Sequence, residues 1–337
     1  MKSNRILILG IVLLVAVLGY LYMHNGRTTL GGDLKNFTVE DTATVDRIFI
    51  ADKQNHKVLL ERKGPALWTV DGKYNARQDG IKMLLETLNK MVVRNPVAKS
   101  MEQKVLKDLA GPTQRKVEIY QKGELTKVFF MAAETPDKMA TYMLMDGAET
   151  PYEIHIPGFK GFLQTRFNSD GRLWRDPVIF RYDYRDMRSV EVKYPGMPQD
   201  GFTVKYDGKI TRLFHPGNPI PDPALDSLRA FEYLNGFRNI GYEFEVVETF
   251  SKAIKDSILA SSPFIEVSVT DKNGSVNSMK GYRRPSNLVS EVAEGEVKPP
   301  FDVDRMYGMI NNGKDFVLIQ YYQFDKVIKP AGWFLRR

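Results

Sequence analysis

Apolar residues are spaced in three ways along this chain. The first spacing is unbroken: from Ile6 to Met23 the sequence reads ILILGIVLLVAVLGYLYM, without a charge. As a helix rising 1.5 Å per residue, that run is about 27 Å long, which matches the hydrocarbon core of a bilayer. A transmembrane anchor is therefore expected over residues 1–24, touching lipid through residues 6–23. A cleaved signal peptide would end in small residues, whereas this run ends in Gly19-Tyr20-Leu21-Tyr22-Met23-His24. Tyr20 and Tyr22 suit the outer membrane–water interface. The polar stretch 25–44 reads as a tether.

The second spacing is alternation, the mark of strands with one buried face. It runs through Ile48 and Ile50, Val58 and Leu60, then Leu67, Trp68 and Val70, with turns at Gly64-Pro65 and Asp71-Gly72. The third is helical: Ile81, Leu84, Leu85, Leu88, Met91 and Val92 share one face. A shorter helix follows through Val105, Leu106 and Leu109, with Ser100 and Gln103 as its expected capping box and Gly111-Pro112 as its stop. Two strand pairs close the stretch, VEIYQ with KVFFM and TYMLM with YEIHI.

This order recurs from Met187. Val190 and Val192, then Phe202, Val204 and Tyr206, then Ile210, Leu213 and Phe214 alternate. Asp222 and Pro223 are expected to start a helix lined by Leu225, Leu228, Phe231, Leu234 and Phe237. Phe250, Ile254 and Ile258 mark a second helix, followed by FIEVSVT with SVNSMKGY and RMYGMI with FVLIQYY. The expected fold class is α+β: one N-terminal transmembrane helix, then two duplicated antiparallel-sheet-plus-helix units at 45–165 and 187–337, joined by a connector at 166–186. Each sheet is expected to bury one face on helices and expose the other.

Charge then fixes sidedness and narrows the partners. Lys2 and Arg5 precede the apolar run and Arg27 and Lys35 follow it, which favours a cytoplasmic N-terminus and a periplasmic C-terminal domain at the inner membrane. The net charge of +7 is spread along 337 residues without a dense Lys/Arg run, so nucleic acid is not an expected partner. With no cysteine, disulfides and lipoprotein processing are excluded.

Candidate chemistry is sparse. The chain has no G-x-S-x-G, H-E-x-x-H, Walker or Rossmann motif, and His24, His56, His155 and His215 are scattered. No catalytic residue, metal ligand or cofactor is assigned. The segment from Arg166 to Asp186 interleaves arginines with aromatics, including Trp174, Arg175, Arg181, Tyr184 and Arg185, a mixture that protein interfaces enrich. Packing of those rings inside the protein, with the arginines reaching nearby carboxylates, is the favoured reading. The C-terminal Trp333, Phe334 and Arg336 make a similar cluster. An insertion from Arg283 to Asp304 carries Glu291, Glu294, Glu296, Asp302 and Asp304 with three prolines, and is expected to be an exposed recognition loop for a basic partner surface. Asp41-Thr42-Ala43 fits a bacterial O-glycosylation pattern in the tether.

Leu67-Trp68-Thr69-Val70-Asp71-Gly72, the helix through Leu84-Leu85-Glu86-Thr87-Leu88, Gly111 after the short helix, and Trp174-Arg175-Asp176 before a new strand together resemble a bacterial membrane-anchored family. It is the domain of unknown function numbered 4340. The resemblance supplies no catalytic residues. It implies an accessory role beside ABC-transporter components of the gliding-motility type. The function expected is a non-enzymatic single-pass envelope protein whose duplicated ectodomain binds other envelope proteins. The alternatives are an envelope hydrolase acting on cell wall or glycan, and a binder of anionic envelope polymer.

Overall fold

The alternating stretches pair into two antiparallel sheets, seen in a computed structural model that describes residues 34–208, 211–215, 218–221, 224–246, 252–286 and 299–336. The chain divides into two compact units, the first ending at Asp176 and the second beginning at Pro177. Among the described residues no helix is long and apolar enough to cross a membrane. The expected anchor, residues 1–24, lies outside them.

Unit 1 runs β1 (Val45–Asp52), β2 (Lys57–Arg62), β3 (Trp68–Val70), β4 (Tyr74–Asn75), α1 (Gln78–Lys90), β5 (Val92–Pro96), α2 (Lys99–Leu109), β6 (Arg115–Gln121), β7 (Glu124–Glu134), β8 (Thr141–Met145) and β9 (Tyr152–His155). Its sheet order is β4-β3-β2-β1-β6-β7-β8-β9-β5. Unit 2 runs β10 (Val178–Phe180), β11 (Met187–Lys193), β12 (Phe202–Tyr206), β13 (Thr211–Phe214), α3 (Ser227–Asn235), β14 (Ile240–Gly241), β15 (Phe244–Glu245), α4 (Lys252–Ala260), β16 (Ile265–Asp271), β17 (Val276–Pro285), β18 (Phe301–Ile310), β19 (Asp315–Gln320) and the single turn α5 (Tyr321–Phe324). Its main sheet has the order β13-β12-β11-β16-β17-β18-β19-β15, while β10 pairs only with β14. Apart from β4, the two main sheets follow one path. Even the bulges coincide: Val45/Arg47 slips against Gln121/Tyr120, and Met187/Ser189 slips against Asp271/Thr270.

Helices cover both faces of each sheet over its closing strands, which corrects there the expectation of one buried and one solvated face. On β7, Phe129 and Met131 join the cluster under α1 with Ile81, Leu84 and Leu88, while Phe130 and Ala132 meet Val105 and Leu109 of α2 on the other side. In unit 2, Val317 and Ile319 of β19 face the α3 side with Tyr233 and Leu234, whereas Phe316 and Leu318 pack with Ile258 of α4. The reason lies in the strands: TYMLM and FVLIQ are apolar almost without interruption, as strands buried on both faces are. The strands β1–β3 and β11–β13 do alternate, and their outward residues remain accessible.

Both units begin earlier than the alternation indicates. Phe37 and Val39 are buried, and the Val39 amide donates to Leu88 at the end of α1 (2.8 Å). Phe180 is buried likewise, and the Tyr182 amide donates to Phe237 just past α3 (2.9 Å). An aspartate-capped single turn follows in each: Asp41 accepts from Ala43, and Asp183 accepts from Arg185. Residues 35–44 are thus part of the fold rather than tether, and Pro177–Asp186 open unit 2 rather than connect two units. Such segments bury isolated side chains from irregular backbone, so no period betrays them.

Two helix starts also differ from expectation. Ala98 is the N-cap of α2 and gives no side-chain bond, which leaves Ser100 inside the first turn. Asp222 and Pro223 lie outside the described residues, and α3 is capped by Asp226, whose carboxylate accepts from Leu228 and Arg229. Starting there, α3 buries Ala230, Tyr233 and Leu234 and leaves Leu228 75% exposed. The three-residue spacing of Leu225, Leu228 and Phe231 drifts off the buried stripe, because a helix turns every 3.6 residues.

Phe37→Ala should destabilise the protein by about 3–5 kcal/mol, since the ring stands edge-on to Phe129 and Tyr152 in a closed core. A denaturant midpoint within error of the parent would return residues 35–44 to the tether.

Candidate functional site

The residues singled out in the sequence fall mostly into structural roles. Trp174 is buried and its indole N–H donates to the Asn168 carbonyl (2.8 Å). Its own carbonyl accepts from the Arg77 amide just ahead of α1, and Ala76 bridges to Arg175. Phe334 repeats this in unit 2: its carbonyl accepts from the Asp226 amide ahead of α3, and Leu225 bridges to Leu335. The two terminal aromatic clusters are therefore equivalent latches, each closing its unit against the entrance to its first helix. The Arg175 guanidinium lies 3.7 Å from the centre of the Tyr74 ring. Arg336 donates through Nε to the Leu225 carbonyl (3.0 Å). Trp333 is half-buried, with Arg229 and Lys329 each 5.7 Å from its ring centre.

Glu291, Glu294 and Glu296 lie outside the described residues. The ends of that insertion are strand rather than loop, because Pro285 pairs with Phe301 in the β17–β18 ladder. Asp302 is buried there and accepts from Arg284 (2.8 Å) and from the amides of Asp304 and Arg305. Thr42 is half-buried in its capped turn, and its carbonyl accepts from Arg62 (2.9 Å).

One polar cluster resembles catalytic machinery and is not arranged for it. Ser169 Oγ donates to Asp52 (2.7 Å), and His56 Nδ1 lies 2.9 Å from the same oxygen. The carboxylate thus stands between the hydroxyl and the imidazole, whereas activation of a serine needs the imidazole in the middle. Burial pushes the Asp52 carboxyl up, but the bonds from Ser169, from His56 and from the His56 and Gln54 amides bring it below the usual range. Among the described residues no group of His, Asp and Glu side chains is placed to hold a metal ion.

A broad concavity opens on unit 2, on the alternating half of the sheet that α4 does not cover. It encloses about 750 Å³ and is lined by Arg185, Arg188, Ser189, Lys205, Tyr206, Asp207, Arg212, Phe214, Thr270 and Lys272, among others. Cross-strand pairing sets its floor in one row: Thr270 opposite Ser189, Ser189 opposite Lys205, Lys205 opposite Arg212. Arg188 is the extra residue of the bulge between Met187 and Ser189. Five cations line the groove, against one carboxylate, Asp207, 3.9 Å from Arg212.

Two of those cations are already held. Arg185 bonds Asp183 through two nitrogens (2.8 and 3.0 Å), which raises the guanidinium's basicity and keeps the carboxyl far below its usual range. Lys272 bonds Asp186 (2.7 Å) and is raised in turn. Arg188 and Lys205 form no ion pair among the described residues, and Lys205 sits 4.5 Å above the Phe214 ring. A second hollow of about 360 Å³ shares Phe214 with the groove and adds Tyr194, Pro195, Pro198 and Phe202.

Arg185 and Tyr184, from the segment that interleaves arginines with aromatics, border this region, where Tyr184 stacks edge-on against Tyr206 and Phe231. Arg181 is exposed. The other lining cations are not legible in the sequence, because residues from four strands and two turns become neighbours only through register. Compared with known proteins, the chain matches no protein-family model and no curated sequence.

Asp52→Asn should destabilise by about 1 kcal/mol at neutral pH, the usual net cost of weakening hydrogen bonds at a partly solvated carboxylate. The folded carboxyl titrates below its unfolded value near 3.9, so its contribution is complete above that value and is lost as pH falls through the depressed one. Urea midpoints of parent and variant should therefore converge in acid, and a gap that stays constant down to about pH 2 would refute the assignment.

Proposed function

We propose that this chain is a non-enzymatic, single-pass envelope protein: an anchor at residues 6–23, then two copies of one α+β module that bind partner proteins outside the cytoplasm. The common strand path, bulge, capped entry turn and C-terminal latch support an internal duplication. The uncharged run and its basic leading flank support the anchor and the periplasmic placement. With at most a short polar stretch between Met23 and the buried Phe37, unit 1 would stay close to the bilayer. The family resemblance, with its accessory role beside a transporter, accords with a scaffold held at the membrane.

The observation that carries a binding role is the open basic groove of unit 2. Several described cations sit beside carboxylates, as in Lys116–Glu118, Lys280–Glu266 and Arg305–Glu243, and so do Arg185, Arg212 and Lys272 of the groove. Arg188 and Lys205 there face solvent, Lys205 over the Phe214 ring, and charge left uncompensated on a stable sheet is available to a partner.

The intact protein, cross-linked in its native membranes and purified in mild detergent, should carry a defined envelope protein in fixed ratio. Protease added to spheroplasts should digest it from the C-terminal side. An ectodomain shielded from protease would overturn the topology, and recovery of the protein alone after cross-linking would overturn the partner-binding role.

A further inference from the structure

The two units are built alike, so equivalent strands align residue by residue, and they differ where the groove lies. In unit 1 the row equivalent to the groove floor runs Tyr120, Arg47, Glu61, Thr69 across β6, β1, β2 and β3. In unit 2 it runs Thr270, Ser189, Lys205, Arg212 across β16, β11, β12 and β13. The large pair of unit 1 fills its own face: the Arg47 guanidinium lies 4.7 Å from the centre of the Tyr120 ring, whose hydroxyl bonds Glu118 (2.7 Å). Two small hydroxyl residues replace that pair in unit 2, and the space they vacate is the groove.

The charge changes with the volume. At the bulge, Asp46 in unit 1 accepts from the Gly123 amide of the neighbouring turn, and Arg188 stands in its place in unit 2. Asp46, Arg47 and Glu61 carry a net −1 in unit 1, whereas Arg188, Lys205 and Arg212 carry +3 in unit 2. Strand-to-strand spacing of about 4.8 Å spreads the row over roughly 14 Å, the length of an extended peptide of four or five residues.

We propose that this groove binds an extended acidic segment of a partner protein, its carboxylates on Arg188, Lys205 and Arg212 and an apolar side chain in the adjoining hollow beside Phe214. The inference rests on the partner-binding reading above and names the chemistry of what is bound. Three features favour a peptide over a dense polyanion. Ser189 and Thr270 place hydroxyls on the floor, and these suit peptide amides and carbonyls. Asp207 stands at the rim and repels a ligand charged at every unit. The Tyr194, Pro195, Pro198 and Phe202 hollow offers apolar surface that a phosphate or sulfate polymer cannot use.

The test uses the full chain in detergent and a fluorescein-labelled peptide of alternating Glu and Thr with Leu at each end, read by anisotropy. Lys205→Glu with Arg212→Glu should weaken binding by about tenfold or more, as reversal of paired charges does. Ser189→Arg with Thr270→Tyr rebuilds the unit 1 row; it adds positive charge yet should abolish binding by filling the groove. If that double variant lowers the unfolding midpoint, Thr270→Tyr alone takes its place with the same expectation. Undiminished binding by the filled variant would overturn the groove, leaving only diffuse attraction. Inorganic polyphosphate displacing the peptide from the parent at lower concentration than unlabelled peptide would overturn the peptide class. If the parent takes no acidic peptide while a partner still co-purifies from membranes, the groove assignment falls and the partner-binding reading stands.

Discussion

Each sheet in this protein has a second half that is apolar on both faces, and that demand organises its unit. Strands such as TYMLM and DFVLIQ cannot leave either side in water without exposing a continuous row of large side chains. One helix therefore covers one face, and a second must cover the other. Because α2 and α4 are short, they reach only the strands that require them. The alternating strands at the other end keep an outward face of polar and half-buried residues, and that uncovered area is the surface on which the two units differ without cost to either core.

The differences between the units are confined accordingly. Inward positions of the equivalent strands stay apolar: Ile48 and Ile50 against Val190 and Val192, Ile119 and Val117 against Val269 and Val267. The entry turn keeps its capping aspartate and the exit keeps its buried aromatic, because each satisfies backbone groups that would otherwise be orphaned. Outward positions answer only to solvent and to one another. At those positions unit 1 carries a self-satisfied Arg–Tyr–Glu arrangement and unit 2 an open, basic one. A side chain that packs on its own neighbours stabilises the fold; one that lacks them is available to something else.

Aromatic–arginine clusters illustrate how easily the two situations are confused. Trp174, Arg175, Phe334 and Arg336 have the composition of an interface and serve as latches inside their own units. Arg188 and Lys205 stand in unremarkable alternating strands and line the groove. Composition reports which residues can bind strongly; burial and pairing decide whether their capacity is already used.

Apart from the strands β4, β5, β10, β14 and β15, and with Val92 of β5 read as the end of α1, the sequence by itself determined the order of strands and helices, the likeness of the two halves, the pairs that form the closing strands and the absence of familiar catalytic motifs. Those properties live in local periodicity and turn chemistry, which neighbouring residues fix among themselves. The tertiary structure alone decided where each unit begins, since Phe37 and Phe180 are buried singly from irregular chain and leave no period to read. It alone decided which stripe of α3 is inside, because that depends on where Asp226 caps the helix. The groove was the least accessible of all: Thr270, Ser189, Lys205 and Arg212 are scattered over more than eighty positions of sequence and become one row only when antiparallel register brings four strands side by side.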